Sequence, residues 1–165
     1  MSFGFLLAGF FATTNAGRVA LAREASRPGP STVVLALLAG ATLVVVATVF
    51  ADDLLDALSI SPESFRIAAG LVLALTAVRT IVWPGASAGP FGAVLVTPEL
   101  ACLALSFAAD EPTGKALGAA AVTLPVVAVA ATVRVPLPSA LAAQLLAALQ
   151  IVVAVALAIS GMRDV

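Results

Sequence analysis

One acid, Glu99, sits where acids are costly. It interrupts Gly89–Phe107, GPFGAVLVTPELACLALSF, a stretch otherwise apolar enough for lipid, and no acidic or basic residue lies within ten positions on either side. An ionisable side chain at membrane depth is rare, and by default it marks an ion path, a proton relay or a substrate contact. The two residues before it sharpen that expectation. Thr97-Pro98-Glu99 has the order of Ser61-Pro62-Glu63: a capping hydroxyl, proline at the first helical position, then an acid in the first turn. The Ser61 copy stands at an ordinary helix start, whereas the Thr97 copy stands inside a span. A helix is therefore expected to restart at Pro98, leaving Phe91–Val96 as a separate half-helix or unwound segment. In the competing arrangement the span begins at Pro98 in water and Phe91–Val96 is an interfacial loop. Pro98–Ala109 would then be only about 18 Å long, too short to cross a bilayer unaided, so a midplane position for Glu99 is the stronger expectation.

The first span carries a similar break, Thr14-Asn15-Ala16. Asn is a good N-cap, so a second helix is expected to restart at Ala16. Two half-helix N-termini approaching from opposite leaflets would present free N–H groups and positive dipole ends, an environment suited to anions. Glu99 then serves in one of two ways. Either it is an internal counter-charge that leaves the pocket to a cation or a proton, or it titrates itself. The candidate substrate- or ion-binding residues are Thr14, Asn15, Thr97 and Glu99. Glu99, Cys102 and Ser106 also fall on one helical stripe.

The elements that must position these residues follow from composition. The chain has 165 residues, 62% hydrophobic and 10% charged, with no His. Soluble domains are about 45–50% apolar and about 25% charged, so the expected class is an all-α polytopic membrane protein. The apolar runs suit membrane helices and lack the period-two alternation of barrel strands. Lys and Arg are few and scattered, which excludes a nucleic-acid footprint. Without His, and with Cys102 as the one cysteine, most zinc chemistry and His-based catalytic dyads are excluded. No metal and no cofactor is expected. No second intramembrane acid or Ser/Lys pair accompanies Glu99, so an enzyme is not expected either.

Six spans are expected in a single membrane domain, 1–165. They cover Ser2–Leu21, Ser31–Phe50 with Ser31 as N-cap, Pro62–Trp83, Phe91–Ala108, Ala116–Val133 with Pro125 mid-span, and Ser139–Ser160. Asp52, Asp53 and Asp56 are expected in an acidic loop after span two. Arg66 is expected to reach outward or to pair with Asp56 or Glu63. Gly70 with Ala74, and Gly114 with Gly118, are small-xxx-small pairs for close helix contact, while Gln144 and Gln150 are expected to hydrogen-bond between helices. Trp83 marks an interface. Arg18, Arg23, Arg27, Arg79 and Arg134 fall on one side, Arg66, Lys115 and Arg163 on the other. The positive-inside rule puts the first set in the cytoplasm and both termini outside.

Three spans, a Gly/Pro connector and three more spans give halves 1–83 and 90–165 of opposite orientation, the inverted-repeat plan of many secondary transporters. The segment Ile60–Pro84, ISPESFRIAAGLVLALTAVRTIVWP, resembles the most typical stretch of the MarC family of integral membrane proteins, through Ile60, Ser61, Arg66, Ile67, Ala68 and Gly70. The tail through Ser160-Gly161-Met162 is similar too. The resemblance implies a six-helix fold in the bacterial inner membrane, with outward-facing termini and kinship to LysE-type exporters. It also implies a structural motif around Arg66, Gly70 and Pro98. The chain departs from the family pattern where it has Asn15-Ala16 in place of Asn-Pro, and Thr97-Pro98-Glu99 in place of Gly-Pro-Gly. Two functions are therefore expected to compete: a transporter of a small solute or ion, coupled to protons or sodium through Glu99, or a non-transporting membrane scaffold or subunit. The expected partners are the lipid bilayer and that unidentified solute or ion, and a homo-oligomer stays open.

Overall fold

Proline and hydroxyl caps set most of the helix boundaries. In the computed structural model, residues 3–84, 96–109, 114–115, 117–119, 121–123 and 138–163 are described, and no strand occurs among them. Helices with both ends among the described residues are α1 (Phe3–Thr14), α2 (Ala16–Ser26), α3 (Pro30–Val49), α4 (Ala51–Leu58), α5 (Pro62–Val82), α6 (Pro98–Ala108) and α7 (Ser139–Arg163). Ser61 caps α5 by accepting from the Ser64 N–H at 3.3 Å, with Pro62 following at the first position. Four runs are long and apolar enough to cross a membrane: Phe3–Ser26, Pro30–Val49, Pro62–Val82 and Ser139–Arg163. The protein is thus an all-helical chain with four candidate membrane-spanning segments among its described residues.

α7 is the axis of the packing. Its residues Gln144, Gln150, Ala154 and Gly161 meet Ile81, Leu73, Gly70 and Glu63 of α5 in turn. The order is reversed, so the two helices are antiparallel. Glycines allow the approach at two levels. A Cβ on Gly70 would come within 2.7 Å of the Ala154 carbonyl oxygen, and one on Gly161 within 2.7 Å of the Glu63 carbonyl oxygen. α1 and α2 also lie antiparallel to α7, since Asn15 bonds Ala143 while Gly9 faces Val153. Leu6, Phe10, Leu73, Leu103, Phe107 and Leu157 fill the core between these helices. The outer faces of α3, α5 and α7 carry exposed Leu35, Leu71, Leu75, Leu145 and Val152. In water such faces would be a liability; in lipid they are the expected surface.

Both expected glutamine bonds form. Gln144 Nε2 donates to the Ile81 carbonyl at 3.0 Å, and Gln150 Nε2 donates to the Leu73 carbonyl at 3.1 Å and to Thr76 Oγ1 at 3.0 Å. Gln150 is 1% exposed. Gln150→Leu is expected to lower stability by about 1 kcal/mol, the typical loss for an interhelical bond in lipid. Unfolding titrations in mild detergent measure it; a cost above about 3 kcal/mol would assign Gln150 a larger role than one bridging pair.

Several sequence expectations are corrected. Span one does not end near Leu21 but continues to Ser26, so Arg23 is a helical rather than a loop residue. Ser31 is not the cap of span two: the helix begins at Pro30 with Gly29 as N-cap and no side-chain bond, because proline already suits the first position. The acidic segment is not a loop. Ala51 and Leu55 bury one face of α4, while Asp52, Asp53 and Asp56 stay outside, and the first two favour the positive helix end. Arg66 does not reach outward. It is 3% exposed and donates from Nη1 to Ser160 Oγ of α7 at 3.3 Å. Of the Gly114/Gly118 pair, Gly114 has open space around it and Gly118 meets only the Phe3 ring at 3.8 Å. Among the described residues no neighbour demands a glycine at either position. Pro125, Arg134 and the second half of the expected fifth span lie outside the described residues, as do residues 91–95 of the fourth.

Candidate functional site

The break at Asn15 is real and has a local cause. Asn15 takes φ 42° and ψ 79°, a left-handed conformation that Asn tolerates better than most residues with a Cβ. The geometry ends α1 at Thr14 and lets α2 begin at Ala16. Twelve residues lie in α1 and eleven in α2, so the break is near the middle of the Phe3–Ser26 run. The Asn15 side chain is fully buried and uses both ends. Its Oδ1 accepts from the Arg18 N–H at 3.1 Å, capping α2, and its Nδ2 donates to the Ala143 carbonyl of α7 at 3.0 Å. Two residues on, Gly17 lies directly against the α7 backbone at Ala142 and Ala143, with no room for a Cβ.

Thr97 and Pro98 build the second start. Thr97 Oγ1 accepts from the Leu100 N–H at 3.3 Å, and Pro98 takes the first helical position of α6. α6 has eleven residues, about 16 Å, roughly half a hydrocarbon core. Its direction is fixed by aromatic contacts. Phe107, near its end, packs edge-on to Phe5 at 6.1 Å between centroids and against Phe10 at 5.9 Å. A Cβ on Gly9 would sit 3.1 Å from the Phe107 ring. α6 therefore runs from the level of α2 back toward the start of α1, antiparallel to it. The N-termini of α2 and α6 point toward one another across the interior.

Glu99 joins them. Its Oε1 lies 3.6 Å from Arg18 Nη1, and the two side chains are 6% and 12% exposed. Glu99 is in the first turn of α6, and Arg18 in the first turn of α2. The distance is that of an ion pair without a direct hydrogen bond. Arg18 Nε, Glu99 Oε2 and Thr13 Oγ1 have no hydrogen-bond partner among the described residues, although all three are buried. A bidentate Arg–carboxylate fork, the strong form of this pair, is not made.

Arg18 links the two helix starts: its N–H is capped by Asn15, and its guanidinium reaches Glu99 in the first turn that Thr97 and Pro98 open. Thr14 is adjacent, but its hydroxyl donates back to the Phe10 carbonyl at 2.8 Å, inside its own helix. Ser106 does the same toward Cys102 O at 2.7 Å, so the Glu99–Cys102–Ser106 stripe is not a relay. Arg66 and Gly70 act elsewhere, where α5 meets the end of α7. The residue that sequence reasoning missed is Arg18, which it counted with the loop arginines. A signal was present: Arg18 is followed by Val19-Ala20-Leu21-Ala22, an apolar run that keeps it within the span, and Val19 and Ala22 are fully buried. Among the described residues no group of three or more His, Cys, Asp or Glu side chains converges. No family model, curated protein or solved structure matches the chain.

Proposed function

We propose that the chain is a small-solute or ion transporter of the bacterial inner membrane. Its site lies at mid-depth, where α2 and α6 begin. The observation that carries this is the Arg18–Glu99 pair, which joins two helix starts inside the protein rather than at its surface. Discontinuous helices whose N-terminal ends meet near the midplane are the usual construction of a transporter site. The helix directions agree with a six-span plan. α1–α2 and α5 run one way, α6 and α7 the other, as spans one, three, four and six would. The resemblance of Ile60–Pro84 to the MarC family points the same way. Orientation rests on the remaining basic residues. With Arg18 and Arg66 buried, Arg23, Arg27, Arg79 and Arg134 face Lys115 and Arg163, which favours both termini outside.

A non-transporting subunit is the competing function, and one observation favours it: Asn15 and Thr97 are 0% and 5% exposed, so the site is closed in this conformation. Sided labelling separates the two. In a Cys102→Ser background, Thr97→Cys is expected to react with a membrane-impermeant thiol reagent from either face, because alternating access opens the site to each side in turn. Reaction from one face only, or from neither, would withdraw the transport proposal.

A further inference from the structure

The charges around the break do not cancel. Arg18 and Glu99 balance one another, but each stands in the first turn of a helix whose N-terminus carries about half a positive charge. The negative end of α1 at Thr14 offsets one of these, and about half a positive charge remains that the pair leaves unneutralised. Its contact is loose as well. At 3.6 Å no direct hydrogen bond forms, and among the described residues neither the buried Glu99 Oε2 nor the buried Arg18 Nε has a hydrogen-bond partner. A guanidinium does not lose its proton in proteins, so a sodium or potassium ion beside Glu99 would face a permanent positive charge. A small monovalent anion would meet Arg18 beside the positive ends of two helices, with no obligatory repulsion once Glu99 turns aside.

We propose that Glu99 is a built-in occupant of an anion site, and that a small monovalent anion takes its place on Arg18. This rests on the mid-depth site described above and narrows its ligand class to anions. Glu99 and the anion compete for one guanidinium, so the carboxylate holds the site closed until it is displaced. Asn15 fixes the start of α2 through Ala143 and keeps Arg18 in place for either occupant. Cations bind elsewhere or not at all.

Nitrate, as its sodium salt against sodium gluconate at constant ionic strength, is the probe, and the thermal unfolding of the purified full chain in lipid nanodiscs is the readout. Glu99→Gln removes the competitor without leaving a buried carboxylate. If Glu99 holds Arg18 about nine-tenths of the time, Glu99→Gln binds nitrate about tenfold more tightly than the unsubstituted protein. Arg18→Gln/Glu99→Gln, which removes both charges and so leaves no lone ion, is expected to show no saturable nitrate response. An equal response in the double variant, or none in Glu99→Gln, overturns the proposal. So does stabilisation by sodium that Glu99→Gln abolishes. Nitrate binding with one-sided Thr97 labelling means an anion site that does not transport. Two-sided labelling without nitrate binding means a transporter of some other solute.

Discussion

Gly17→Ala is expected to lower stability by about 3 kcal/mol, the upper end of what one added methyl costs in a packed interior. Gly17 is in the first turn of α2, and the Cβ it lacks would fall on the main chain of α7 at Ala142 and Ala143. The obstacle is backbone, which has no rotamer to change. Relief requires α2 and α7 to move apart, and the Asn15 Nδ2 bond to the Ala143 carbonyl lies at the same point. A shift large enough to admit the methyl therefore loosens the bond that holds the break. Alanine also favours helix over glycine by about 1 kcal/mol, and the clash exceeds that gain. Gly114→Ala is the control. Among the described residues its Cβ would meet no atom within 4 Å, so the helix preference decides and stability is expected to hold or rise. Unfolding of both variants in detergent, followed by helix signal, gives the comparison. Equal behaviour would mean that α2 and α7 do not touch at Gly17.

The contrast between Gly17 and Gly114 also shows what a sequence conveys about glycine. The GxxxG spacing at Gly114 and Gly118 announces a close contact that no described residue makes, while Gly17, Gly70 and Gly161 make three. Spacing identifies a small face on one helix; only the partner helix decides whether the face is used. Helix starts were more legible. Ser61-Pro62 and Thr97-Pro98 each combine a hydroxyl acceptor with a residue that needs no amide partner, and both cap as their local chemistry requires. Asn15 was legible for the same reason, since capping is decided within four residues. Arg18 was not. Its role depends on Glu99, eighty-one positions later, and on a helix that continues to Ser26 instead of stopping where charges appear. For Arg66, the outward reach expected of a basic residue near a span end does not occur, since it is buried and Ser160 of α7 supplies a partner inside. Local grammar sets helix ends, and long-range pairing sets where charges are tolerated.

That pairing gives the other large effect. Arg18→Gln is expected to cost about 3–5 kcal/mol, because Glu99 is left charged and enclosed without a cation. The α6 N-terminus returns part of this, up to about 2 kcal/mol for a partly buried acid in a first turn, so the lower end of the range is expected. Glu99→Gln leaves Arg18 in place of Glu99 as the lone ion. Its longer stem gives it a route toward the end of α2 that the short Glu99 side chain lacks, and its loss of stability should be the smaller of the two. In Arg18→Gln/Glu99→Gln no ion remains, two amides of similar size occupy the gap, and the cost is expected to fall below the sum of the singles by about 2 kcal/mol or more. The cycle is informative because the pair is loose. If the 3.6 Å separation meant that the two side chains were independent, their effects would add within about 0.5 kcal/mol. A coupling well above that, measured by unfolding in one detergent at one ionic strength, places both charges in a single electrostatic unit. A buried pair without a direct hydrogen bond couples mainly through charge and desolvation, so the coupling should persist at raised salt, where exposed pairs are screened away.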